Sequence, residues 1–96
     1  MNTYLNFTYS EFINDIIQKG FSHYNVIISN DNVGTKVFKH KVCLEIYDYY
    51  INNHVEFNDV FIENYYELLK YFEDIEEYCK CSNLYQLYKS YINELD

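Results

Sequence analysis

"TKVFKHKVCLEIYDYYI", residues 35–51, satisfies two periodicities at once, and the choice between them sets the fold. With a period of two, Phe38, His40, Val42, Leu44 and Ile46 share one face, while Val37, Lys39, Lys41, Cys43 and Glu45 share the other. With a helical period, Val42, Cys43, Ile46, Tyr47 and Tyr50 gather instead. The alternating pattern is longer and separates polar from apolar residues better. It predicts a strand over 36–48, with His40 on the apolar face as a core histidine.

The flanking segments read the same way. "HYNVIIS" (23–29) alternates Tyr24, Val26 and Ile28 against Asn25, Ile27 and Ser29, and is rich in residues of high β-propensity. "NDNVG" (30–34) supplies turn residues that tolerate left-handed backbone angles. "NNH" (52–54) reads as a tight turn and "VEF" (55–57) as a returning strand. These segments predict a three-stranded antiparallel meander.

Helices are predicted on either side of it. In "FTYSEF", Thr8 and Glu11 have capping-box spacing, with Phe7 and Phe12 as the staple. Phe12, Ile13, Ile16 and Ile17 then line one face of a helix over 9–19. Gly20 follows as its left-handed C′ residue, and Phe21 closes back on Ile16. From an N-cap at Asp59, the residues Phe61, Tyr65, Leu68, Phe72, Ile75 and Cys79 recur at alternating steps of four and three, an amphipathic seam. Ser82 caps a last helix with a stripe of Leu84, Leu87, Tyr88, Tyr91 and Leu95. The predicted architecture is a single α+β domain over residues 1–96, in the order α-β-β-β-α-α.

Ninety-six residues leave room for one core, and 49% apolar residues with no proline mark a folding chain. Thirteen tyrosines exceed what a small core holds, so several are expected at the surface. Residues 1–44 hold Glu11, Asp15 and Asp31 against Lys19, Lys36, Lys39 and Lys41, a balance of +1. Residues 45–96 hold twelve acids against Lys70, Lys80 and Lys89, a balance of −9. Binding nucleic acid directly requires cations facing phosphates, and with no arginine the Lys36, Lys39, Lys41 ladder is the one short candidate. The balance predicts a basic protein partner and no direct nucleic-acid contact. Solubility is the plainer use of the same charge.

"MNTYLNFTYSEF" has neither the basic nor the apolar region of a secretory signal, and no apolar run approaches the roughly 20 residues of a membrane span. With three cysteines, an odd number, this predicts a reduced, cytoplasmic protein with no membrane association.

No motif names a reaction. Cys79 and Cys81 form a C-x-C pair, with Cys43, His23, His40 and His54 as further donors, but structural zinc sites take a second spaced pair. Cys79 falls on the apolar seam, where a thiol acts as a small hydrophobe. There is no glycine-rich phosphate loop and no nucleophile–histidine signature. The expectation is a non-enzyme with no catalytic residue, metal or cofactor.

What remains is the acidic helix. With Phe61 to Cys79 turned inward, Glu63, Glu67, Asp74 and Glu77 fall together on the opposite side, flanked by Glu73 and Glu76. Lys70 alone interrupts them, and like charges at helical neighbours repel by a few tenths of a kcal/mol. These six acids are the predicted partner-binding set. Either they form an ordinary solvated face, or they imitate a phosphate track and engage cations placed for nucleic acid.

In length, in the acidic surface around "YFEDIEEY" (71–78) and in element order, the chain resembles the small inhibitors that phages deploy against CRISPR effectors. The element order resembles one such family that occupies the DNA-binding groove of type II effectors. That resemblance implies a non-enzymatic blocker of a host defence nuclease acting by nucleic-acid mimicry, in the host cytoplasm. A second resemblance is of another class. "HYNVIIS", "FKHKVCL" and "YYELLKYF" are similar to the core pattern of BTB/POZ interaction domains, where the histidine-bearing segment opens a helix hairpin. It implies an adaptor module, and the chain departs from it in its short middle and in the strand reading of "VFKHKVCLEI". An acidic immunity protein or antitoxin covering a basic toxin follows the same charge logic as a mimic.

Overall fold

Residues 33–52 form one helix of 20 residues, and this overturns the α+β expectation. A computed structural model describes residues 9–24 and 33–95. The elements are α1 (Tyr9–Lys19), a 3₁₀ turn (Phe21–Tyr24), α2 (Val33–Asn52), α3 (Asp59–Asp74) and α4 (Tyr78–Leu95). Among the described residues there is no strand, so the fold is all-α where it is described. None of these helices is long and apolar enough to cross a membrane.

Burial along α2 explains the correction. Val42, Cys43, Ile46, Tyr47 and Tyr50, the helical set, are all buried. The alternating set divides: Val42 and Ile46 are buried, Phe38 and Leu44 half-buried, and His40 exposed. Apolar residues also occur on the outer side of α2, where Val37 is 67% exposed and Tyr49 and Ile51 are also exposed. A helix with apolar residues all round gives a weak 3.6-residue signal, and chance alternation then dominates the pattern. Packing overrides the β-propensity of Val, Ile and Tyr.

The helix ends where turn residues appear. Asn52 and Asn53 donate their side-chain amides to the carbonyls of Asp48 and Tyr49, at 2.8 and 3.0 Å, folding both side chains back onto the last turn. "VEF" is a link between helices and not a strand. Val55 N–H donates to Tyr91 Oη at 3.0 Å, and the Phe57 ring packs on Phe61, Tyr88 and Tyr91. Of "HYNVIIS", His23 and Tyr24 belong to the 3₁₀ turn, and 25–29 lie outside the described residues, as do 30–32 of the predicted turn.

The helix over 9–19 is as expected, with Gly20 at φ +100°. Thr8 and Phe7, its predicted cap and staple, lie outside the described residues. Gly20 N–H donates to Ile16 O at 2.8 Å. The longer bond of a Schellman end, from Phe21 N–H to Ile16 O, is replaced by the carboxamide of Asn64. Its Oδ1 accepts from Phe21 N–H at 2.9 Å and its Nδ2 donates to Ile16 O at 2.9 Å. Asn64 thereby ties α3 to the end of α1.

Three boundaries in the second half shift. The N-cap of α3 is Asn58, whose Oδ1 accepts from Phe61 N–H at 2.9 Å, so Asp59 is the first helical residue. The seam does not run to Cys79. Phe61, Tyr65, Leu68 and Phe72 are buried, but Ile75 and Cys79 are exposed because α3 stops at Asp74. Glu77 N–H donates to Phe72 O at 2.8 Å and Glu76 N–H to Glu73 O at 3.0 Å, a Schellman end with Glu76 at φ +62° where glycine is usual. Ser82 then lies inside α4, which begins at Tyr78.

α3 and α4 pack as an antiparallel hairpin: Phe61 meets Tyr91 at 5.1 Å between ring centroids, and Tyr65 stacks on Tyr88 at 4.7 Å. Phe12 and Ile16 of α1, the α2 face, Phe21, and Leu84 of α4 complete one core with them.

Candidate functional site

The six predicted contact acids do not share a face. Glu63 is half-buried, and its carboxylate lies against the Gly20 backbone and accepts from Ser22 N–H at 3.3 Å. A side chain at residue 20 would strike that carboxylate, so Gly20 serves close approach as well as its left-handed angle. Glu63 is thus a fastening between α3 and the 3₁₀ turn. Glu67 is exposed one turn further along, on the side towards Cys43 of α2.

Glu73, Asp74, Glu76 and Glu77 are brought together, at the α3–α4 corner, and all four are exposed. The left-handed Glu76 turns the chain within three residues, so the carboxylates surround a bend instead of following a rod. Glu77 pairs with Lys80 at 3.8 Å, and its carbonyl accepts from the N–H groups of Lys80 and Cys81 as α4 begins. Exposed ion pairs of this length contribute at most about 1 kcal/mol. Within the corner stand Ile75, 40% exposed, and Tyr78, 63% exposed. Sequence reasoning placed Ile75 in the core and did not include Tyr78. No glycine or proline marks the bend, so periodicity alone carried the helix through it.

The cysteines separate. Cys79 is exposed, contrary to its predicted place on the seam; Cys81 is half-buried and points its thiol at Leu69 O, 3.8 Å away. Burial, and then the nearby Glu73, raise the Cys81 thiol above its ordinary range. Cys43 is buried in the core, and burial pushes its thiol up to about 12 although Lys39 opposes the shift. A thiol so held is protonated and unreactive at neutral pH. Among the described residues no three His, Cys, Asp or Glu side chains are grouped to hold a metal ion.

His40, predicted as a core histidine, is exposed, with Nδ1 2.6 Å from Tyr71 Oη, and joins α2 to α3. The lysine ladder diverges: Lys39 lies over the Tyr71 ring at 5.7 Å and Lys41 over the Tyr9 ring at 4.6 Å, on opposite sides of α2. It offers no continuous track for phosphates. No family model, curated protein or solved structure matches this chain.

Proposed function

We propose that this chain is a non-enzymatic acidic binding protein whose α3–α4 corner engages a basic, nucleic-acid-binding surface of a partner protein. The supporting observation is the corner itself: four exposed carboxylates around Ile75 and Tyr78, with Lys80 paired to one of them. Such a surface has the anatomy of an interface, apolar at its centre and polar at its rim. Size and charge favour an inhibitor of a nuclease effector. The α-β-β-β-α-α order gives no support, because this fold does not have it. The contact set narrows to Glu73, Asp74, Glu76 and Glu77. Reversing Glu73, Asp74 and Glu77 to lysine should abolish capture of the partner at low salt while circular dichroism stays unchanged. Duplex DNA or RNA should displace the partner from the wild-type chain. Equal retention by both chains, or indifference to nucleic acid, overturns the reading.

A BTB/POZ-like adaptor is the second reading, favoured by one observation. "VFKHKVCLEI" is helical and is followed by a helix hairpin, which removes one of the two departures from that resemblance and leaves the short middle. An adaptor would bind through apolar surface and be nearly indifferent to salt, which separates it from the first reading.

A further inference from the structure

The other end of α3 carries a cleft of different chemistry. It lies between α1, the end of α2 and the 53–58 link, and measures about 320 Å³. That is the lower end of the range for small-molecule sites, roughly 300–1,000 Å³. The rings of Tyr49, Tyr50 and Phe61 run along it, with centroids 6.4 Å and 5.2 Å apart in succession, and Ile17 and Val55 add aliphatic wall. Its formal charge is the exposed carboxylate of Glu56, which has no lysine within ion-pair distance among the described residues. The Oδ1 of Asn58 is engaged by the Phe61 N–H.

Aromatic rings beside a single carboxylate favour one class of ligand. Ring faces carry negative quadrupole charge and attract ammonium groups, and a carboxylate adds a charge-assisted hydrogen bond. An anion would meet the Glu56 carboxylate with no lysine among the lining residues to offset it. We propose that this cleft binds a small organic cation, with its ammonium head on Glu56 and its apolar body against Tyr49, Tyr50 and Ile17. The site is independent of the acidic corner, which lies about 24 Å away along the 16 residues of α3.

The test uses benzylammonium, benzyl alcohol and benzoate, which match in size and differ in charge. Each is titrated into ¹⁵N-labelled protein at about pH 8. Benzylammonium should shift the amides of Gln18, Tyr49, Val55 and Glu56, benzyl alcohol should bind roughly tenfold more weakly, and benzoate should leave the spectrum unchanged. Glu56→Gln should bring benzylammonium down to the affinity of the alcohol and leave the alcohol where it was. Two results overturn the site. One is equal binding of all three probes. The other is benzylammonium shifts that survive Glu56→Gln, whether spread over the acidic surface or confined to the adjacent cleft of Tyr9 and Glu45.

Discussion

Asn64 shows how much one residue can fasten. Its carboxamide, fully buried, bonds to Phe21 N–H, Ile16 O and the Tyr50 hydroxyl, the last at 2.8 Å, and so joins α1, the 3₁₀ turn, α2 and α3. Satisfied buried polar groups of this kind rigidify a core, whereas unsatisfied ones cost about 1–3 kcal/mol each. The Tyr50 hydroxyl in this network is pushed up to about 12, chiefly by burial, with the Asn64 donor opposing. Its ordinary value is 10.0, so the folded state holds the proton more tightly than the unfolded chain does. The resulting stability is fully present below about pH 10 and is lost as pH rises towards 12, in total on the order of 2–3 kcal/mol. The Cys43 thiol adds a loss of the same sign, beginning from its ordinary value of 9.0. Urea midpoints should therefore be flat near neutrality and fall in alkali. Tyr50→Phe should start about 1–2 kcal/mol lower, because Asn64 loses an acceptor, and fall less steeply. An unchanged alkaline slope in that variant would assign the loss to other groups. None of this was legible in the sequence, where Asn64 is one polar residue on a helix and its partners stand 14 to 48 positions away.

Among the elements, α1 was legible because several local signals agree there, and Gly20 closes it with a backbone angle few other residues take. α2 was not, because its exposed Val37, Tyr49 and Ile51 blur the helical stripe and leave the alternation of 36–48 more visible. The acid set was legible as composition but not as geometry. A run with no glycine or proline from Glu73 to Glu77 conceals a bend that depends on Glu76 at φ +62°. A left-handed residue with a side chain costs roughly 1–2 kcal/mol, which glycine avoids. Glu76→Gly should accordingly raise unfolding stability by about 1 kcal/mol, part of the relief being offset by the looser unfolded chain. Chemical denaturation measures this directly. A gain would show that position 76 retains a carboxylate against its own backbone preference, the pattern expected where function holds local strain. A loss would mean that the glutamate is favoured there for folding, and would remove that argument for the corner.

At the scale of the molecule, one charge distribution has two consequences that salt drives in opposite directions. The net charge is −8, and the balance of −9 within residues 45–96 places most of the repulsion in α3, α4 and their corner. Like charges destabilise the compact state because unfolding spreads them apart. The screening length falls from about 30 Å at 0.01 M salt to about 8 Å at 0.15 M, shorter than the distances over which this repulsion accumulates. Stability should therefore rise with salt over that interval by about 1 kcal/mol, or about 4–8 °C in Tm for a domain of this size. Binding of the corner to a basic partner should fall over the same interval, since the same ions screen the attraction. The variant with Glu73, Asp74 and Glu77 reversed to lysine carries −2 in place of −8, and its Tm should respond much less to salt. Its partner affinity should be absent at every ionic strength. A wild-type Tm that declines as salt is added would show that attraction within the molecule outweighs repulsion, and the under-neutralised surface on which the binding proposal rests would be wrong.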